Sequence, residues 1–327
     1  MKKLINDPQN VVTEMLQGMA KAHKEIMYCE NFEVICRKIT KTKVGLVSGG
    51  GSGHEPAHAG YVGEGMLDAA VAGNVFASPS PDRILKGIQM ANTGMGVLLI
   101  IKNYSGDIMN FGMAKELAEL EGIKVESVIV KDDVAVEDST FSTGRRGIAG
   151  TVFVHKIAGA KANLGASLDE VKRAAEKTIL NIRSIGMAMS PCILPAVGKP
   201  GFILGENEIE IGMGIHGEPG VEKTNVMSAS GLARKLCGKI LSDMDFSNSE
   251  VAVMVNGLGG TPLMDLYIMN NEVHSYLSSQ NINVYRSFVG NFMTSLEMSG
   301  CSITLLKLDE ELKFLLDSPC NTPAMKV

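Results

Sequence analysis

Two histidines stand beside glycines, the setting in which an imidazole can meet a ligand with little steric cover. His54 closes the run GGGSG at residues 49–53 and is followed by Glu55, while His216 lies within GIHGEPG at residues 214–220. A neutral imidazole can accept a proton or add to an electrophilic carbon. A third cluster, Lys102-Asn103-Tyr104-Ser105-Gly106-Asp107, follows an apolar run and offers a cation and a carboxylate. On residue type alone these positions also fit quieter roles. Lys102 reads more readily as a strand-end surface lysine and Asp107 as a turn aspartate, while His216 reads equally as a structural histidine at the end of a strand. His23, His58, His155 and His274 fall in helices or at helix edges and need no special role.

Known fingerprints can be tested on the glycine-rich stretch 43–65. A phosphate-binding P-loop requires Lys and Ser or Thr after its last glycine, where this chain has His54 and Glu55. A dinucleotide fingerprint begun at Gly51 would place Pro56 where a third glycine should allow close helix–strand packing. His54-Glu55-Pro56-Ala57-His58 matches the letters of a zinc-protease helix, but proline at the third position is incompatible with a helix interior carrying both histidines on one face. No metal site is expected.

The elements that must carry these residues are legible from periodicity. An apolar run at 44–47 is a strand leading into a sharp turn at Gly49, Gly50, Gly51 and Gly53; runs at 96–101 and 125–130 are buried parallel strands. Helices are expected at 82–90, 109–120 and 148–160, and from Ser167, where Ser167 and Glu170 form a capping box. This alternation predicts an α/β fold, with a mainly parallel first sheet covered by helices on both faces. Pro191, Pro195 and Pro200 mark a compositional shift, so the first domain is placed at 1–185 and the second, a smaller mixed sheet with helices, at 186–327. In the second, a strand over 208–215 is expected to end at His216, and Asn256–Pro262 forms another glycine-rich turn before a helix. Asp132, Asp133, Glu137 and Asp138 are read as loop and helix-cap acids rather than a metal site. Arg145-Arg146 is a surface pair or a contact for an anion or partner.

At 327 residues, with 45% hydrophobic and 20% charged residues, the chain can bury two cores. A net charge of −5 without a basic run argues against nucleic-acid binding, and no run of 18 apolar residues occurs to span a membrane. The start MKKLINDPQNVV lacks the apolar segment of a signal peptide, so a cytoplasmic protein is expected. Six scattered cysteines suit reduced thiols, and twenty methionines suit adaptable core packing.

GGGSGHEP, SPSPDRI, LLIIKNYSGDIMNF, DDVAVEDS, STGRRGIAGT, GKPGF, GIHGEPG and NGLGGTPL occur in order along nearly the whole chain. In that set the sequence resembles the substrate-binding subunit of dihydroxyacetone kinase. The resemblance implies that His216 forms a covalent hemiaminal with dihydroxyacetone and that Asp107 and His54 handle the hydroxyl proton. Lys102 and the Gly51-Ser52-Gly53 backbone would bind hydroxyl groups. It further implies that this chain binds no cofactor of its own, because ADP or ATP and Mg²⁺ belong to a separate nucleotide-binding subunit, recharged in bacteria from phosphoenolpyruvate by a phosphotransferase protein. A homodimer is expected. The family also includes dihydroxyacetone-binding coactivators of a transcription regulator. After HGEPG this chain has Val221, Glu222 and Lys223 in place of the basic pair expected of kinase subunits, a departure that keeps the coactivator reading open.

Overall fold

The computed structural model describes residues 2–30, 33–38, 41–137 and 144–327. They form two compact units. One comprises Lys2–Val130, Thr151–Ile179 and Leu312–Val327; the other comprises Lys131–Gly150 and Leu180–Glu311.

The first unit opens with α1 (Val11–Ala22) and the strands β1 (Met27–Glu30) and β2 (Val34–Arg37). Then come β3 (Gly45–Ser52), β4 (Ala69–Val75), α2 (Pro81–Ala91), β5 (Val97–Lys102), α3 (Ser105–Leu120) and β6 (Val125–Val130). They build a six-stranded sheet of order β1-β2-β4-β3-β5-β6, parallel from β4 through β6 and antiparallel at the β1 and β2 edge. Alternating side chains sort its faces. Val47, Val71, Val97 and Leu99 pack with Ile84 and Ile88 of α2 and Phe111, Ala114 and Ala118 of α3. α4 (Thr151–Asn163), buried along almost its whole length, contacts β3 and β5, and α5 (Leu168–Asn181) follows it. A helix buried on nearly every side belongs in a core even though it carries His155 and Lys156, and each large aliphatic residue it buries contributes about 1.5–3 kcal/mol. The expected capping box is formed: Ser167 N donates to Glu170 Oε2 at 2.8 Å, and Glu170 N to Ser167 Oγ at 3.4 Å.

Two readings change here. The strand expected at 44–47 continues through Gly49, Gly50 and Gly51, and the turn comes only after Ser52. Close packing explains it: a Cβ on Gly49 would lie 2.3 Å from Val71 O, and one on Gly51 would lie 2.6 Å from Ala77 N. These glycines let neighbouring backbone approach the strand. Asp107 sits in the first turn of α3 rather than in a loop turn, because the helix begins at Ser105.

The second unit holds β7 (Ile182–Ser190), β8 (Glu208–Ile211), β9 (Glu222–Asn225), α6 (Ala229–Asp243), β10 (Glu250–Gly257), α7 (Leu263–Ser279), β11 (Asn283–Gly290) and β12 (Ser299–Leu308). α8 (Glu310–Asp317) runs on from it into the first unit's C-terminal segment. The sheet order is β11-β10-β12-β7-β8-β9, mixed because only the β10–β11 pair, joined through α7, is parallel. Ile185, Val253, Val255, Ile303 and Leu305 share its core with Leu236 and Ile240 of α6 and Leu266 and Val273 of α7.

The single cut expected near Ile185 falls inside β7, whose residues pair with β12. Residues 131–150 join this unit through a bridge between Asp133 and Ser184. A proline-rich stretch marks a loop, but long-range pairing decides which unit a segment joins. Asp132 is buried and acts as a cap, accepting from Ile148 N at 2.8 Å and Gly150 N at 2.9 Å. Asp138 lies outside the described residues.

Candidate functional site

Parallel strands deliver their C-terminal ends to one edge of a sheet, and the first unit uses three neighbouring exits there. β3 leads to His54, β4 to Phe76 and Ser78, and β5 to Lys102 and Asp107. The exits are tied together. The His54 ring stacks on Phe76 with centroids 5.1 Å apart and planes 14° off parallel. Phe76 N donates to Ser52 O at 2.9 Å. The Ser78 hydroxyl hydrogen-bonds Asp107 Oδ1, an approach that requires Gly106, since a Cβ there would lie 2.8 Å from Ser78 Oγ.

Gly50 faces both the cation and the carboxylate. At φ 153° it takes a conformation that favours glycine, and a Cβ on it would stand 3.3 Å from Asp107 Oδ2 and 3.5 Å from Lys102 Nζ. Lys102 is wholly buried, with its ammonium 5.3 Å from the Tyr104 ring centroid; Asp107 is 3% exposed and His54 is fully buried. A buried ammonium and a buried carboxylate that both face one glycine can steady a developing alkoxide and accept its proton.

Ser52 and Gly53 have internal work. Ser52 Oγ donates to Gly73 O at 2.7 Å, and Gly53 N donates to Glu55 Oε1 at 3.1 Å. Burial pushes the Glu55 carboxyl upward. Gly51 packs against residues 76 and 77. Residues 53–58 form turns rather than a helix, and among the described residues no group of three or more His, Cys, Asp and Glu could hold a metal ion.

Behind this edge lies a polar chain that the sequence did not announce. Ser48, His58 and His155 are buried, with His58 Nδ1 3.0 Å from His155 Nε2 and 3.3 Å from Ser48 Oγ. Burial, with the nearby charge of Lys102, pushes His155 down from 6.5 to about 3. Burial, Lys102 and His155 together hold His58 well below its ordinary value. Both rings are therefore neutral when folded, whereas the unfolded chain protonates its histidines below about pH 6.5. The unfolded state then binds more protons as the pH falls, so stability is lost on acidification from about pH 6.5 down towards 3. The expected slope is about 1.4 kcal/mol per pH unit for each histidine. Urea unfolding between pH 7 and 5 measures it, and His155→Leu should flatten the slope; an unchanged slope would contradict the assignment.

In the second unit, His216 occupies a turn rather than a strand end. β8 stops at Ile211 because Gly212 takes φ 80°, and a turn over 214–217 follows. Glu218 organises it: one carboxylate oxygen accepts from His216 N at 2.9 Å and the other lies 2.7 Å from His216 Nδ1. Burial raises the Glu218 carboxyl, but the hydrogen bond and charge of His216 outweigh it and hold it at about 2. A carboxylate facing Nδ1 selects the tautomer with its proton there and leaves the lone pair on Nε2. Gly214 is required, since a Cβ would stand 2.1 Å from Glu218 Oε2 and 2.6 Å from Arg146 Nη1.

Arg146 braces the same loop, donating from Nη2 to Gly212 O at 2.7 Å and from Nε to Asp133 Oδ2 at 2.9 Å. Burial pushes the Asp133 carboxyl up to about 6, against the opposing pull of Arg146. Arg145 pairs with Asp243, which Arg183 also holds. The arginine pair, read as a surface pair or as a contact for an anion or partner, is partly buried and tied to partners within the chain. Glu222, the acidic departure after HGEPG, opens β9 and is paired with Lys235 Nζ.

Lys102, Asp107, Gly50 and Ser78 are thus brought together in the first unit, with His54 at the same sheet edge. His216, Glu218 and Arg146 are brought together in the second. Ser78, Glu218 and Gly50 were not singled out as site residues in sequence; the available signals were a serine directly before a proline-bracketed loop and a glutamate two residues after a glycine-flanked histidine.

Comparison with known proteins places the chain in a family. The family model described as the Dak1 domain matches residues 17–324. The chain is 54% identical, over 99% of its length and all of the relative's, to the PTS-dependent dihydroxyacetone kinase 1, dihydroxyacetone-binding subunit DhaK, of Listeria innocua. Among solved structures it is similar to the dihydroxyacetone kinase operon co-activator Dha-DhaQ, with TM-score 0.90 and 38% identity over 95% of this chain and 96% of that one. It is also similar to the dihydroxyacetone kinase from C. freundii in complex with AMP-PNP and Mg²⁺, with TM-score 0.92 and 36% identity over 99% of this chain and 61% of that one. With a family model spanning nearly its whole length, and motif blocks that already resembled dihydroxyacetone kinase, the chain belongs to the Dak1 domain family.

Proposed function

We propose that this chain is the dihydroxyacetone-binding subunit of a dihydroxyacetone kinase, whose nucleotide and Mg²⁺ are carried by a separate subunit supplied with phosphoryl groups from phosphoenolpyruvate. The observation that carries the reading is the 54% identity, end to end, with a DhaK subunit described as PTS-dependent.

In this reading His216 captures the ketone. Its Nε2 lone pair adds to the carbonyl carbon, the new C–N bond makes that carbon tetrahedral, and the carbonyl oxygen gains a proton to become the hemiaminal hydroxyl. The positive charge formed on the ring is stabilised by Glu218, and loss of the Nδ1 proton returns it to neutrality. Glycerol has no carbonyl and is refused by chemistry rather than by shape. Asp107, with His54 and Lys102, acts on the terminal hydroxyl: its proton passes to the carboxylate as the oxygen attacks phosphorus, and the neighbouring ammonium offsets the negative charge. The hydrogen bond from Ser78 to Oδ1 orients the carboxylate. The protein works in the cytoplasm, as a homodimer.

Reconstitution tests the reading. The purified chain, a nucleotide-binding kinase subunit, its phosphotransferase partner, phosphoenolpyruvate and dihydroxyacetone should yield product at about 1 s⁻¹ or faster. Dihydroxyacetone bound on His216 with no turnover, and a transcription regulator retained by the chain, would favour the coactivator instead. Rescue of turnover by Glu222→Arg would then place the lost function at the Glu222–Lys235 pair.

A further inference from the structure

The buried His58–His155 pair takes part in no step above, yet its proton order can be read from its partners. Ser48 has one hydroxyl proton and gives it to Ile100 O at 2.7 Å. Its oxygen must then accept from His58 Nδ1–H, and the same proton faces His155 Nε2, which is the acceptor. His58 Nε2 and His155 Nδ1 are buried and have no hydrogen-bond partner among the described residues. Leaving two polar atoms so placed is costly, and an apolar pair would fill the space without that cost.

Position suggests what the chain is for. Ser48 and Ile100 are register partners, each two residues before the site residues Gly50 and Lys102. His58 ends the turn that His54 begins, a turn closed by Ala57 N donating to His54 O at 3.0 Å. Beneath that turn, between it and Met15 and Leu16 of α1, lies a cavity of about 20 Å³ bordered by Gly51, Glu55, Ala57 and His58. Packing from that side is therefore incomplete, and at its far end the turn is tied on the other side by the polar chain.

We propose that His58 is a positioning residue: clamped by Ser48 and His155, it pins the far end of residues 53–58 and thereby fixes the stance of the His54 ring against Phe76. The kinetic part of the test rests on the kinase reading; a second measurement does not.

His58→Leu keeps the bulk and removes the donor. In the reconstituted kinase its kcat is expected to fall about 10–100-fold while intact-mass measurement still finds dihydroxyacetone on His216 at wild-type occupancy. His58→Asn, which keeps an N–H donor near the place of Nδ1, should recover kcat to within about fivefold. A folded His58→Leu with kcat within about threefold of wild type overturns the proposal, and so does an equal loss of adduct and turnover. Histidine-selective ¹⁵N NMR reads the His54 ring whether or not the protein is a kinase. Its signals should move in His58→Leu and return in His58→Asn; unmoved signals overturn the proposal. If His58→Leu does not fold, Ser48→Ala, which deletes one acceptor atom, carries both measurements with the same expected and overturning results.

Discussion

His216→Ala is expected to eliminate covalent capture of dihydroxyacetone and to lower kcat/KM by about 10³-fold or more, roughly 4 kcal/mol of transition-state stabilisation. The size follows from what the bond does. It converts a freely diffusing ketone into a fixed tetrahedral centre, so losing it removes orientation and selectivity together. The turn around His216 is built from backbone hydrogen bonds and from Glu218, so a smaller side chain at 216 leaves the loop's own closures, Gly217 N to Gly214 O and Gly214 N to Glu218 O, in place. Intact mass and titration with dihydroxyacetone check the outcome. A variant that still binds with a Kd near 1 μM would sink the hemiaminal role. Glu218→Gln is a useful companion, because it keeps the geometry but withdraws the charge that stabilises the ring during addition.

Asp107→Asn is expected to lower kcat by about 10²–10⁴-fold while the adduct on His216 persists and affinity changes little. Asparagine can still accept from Ser78, so the first turn of α3 and its approach past Gly106 remain intact. What is lost is basicity, beside Lys102 and Gly50, where the hydroxyl proton must go. Single-turnover phosphoryl transfer separates chemistry from binding. Turnover within about threefold of wild type would move the general base elsewhere, with His54 the next candidate.

The two sites differ in how much of them the sequence showed. GIHGEPG pointed to His216, but its strand was expected to reach residue 215, whereas Gly212 ends it at Ile211 and the histidine is presented by a turn. The glycines at 49–51 were read as a turn because glycine usually marks one; here they lie in a strand and admit Val71, Ala77 and the side chains of Lys102 and Asp107. β4 went unread, since AAVAGNV carries little apolar bulk, and Phe76 and Ser78 were missed with it. Arg145 and Arg146 were left open between surface charge and a contact for an anion or partner because their partners, Asp243, Asp133 and Gly212 O, are remote or carry no charge signal in sequence.

By itself the sequence determined what depends on near neighbours. Strand–helix alternation specified an α/β protein, Pro56 excluded the zinc-protease helix, Ser167 and Glu170 set a helix start, and the ordered motif blocks marked the family. The tertiary structure decided what depends on strands distant in the chain lying side by side. Ser78 reaches Asp107 across 29 residues, His58 reaches His155 across 97, and residues 131–150 join a unit built mostly from residues after 180. The physical reason is that hydrogen bonds, burial and charge act over a few ångströms in space, while sequence spacing reports distance only within one helix or strand.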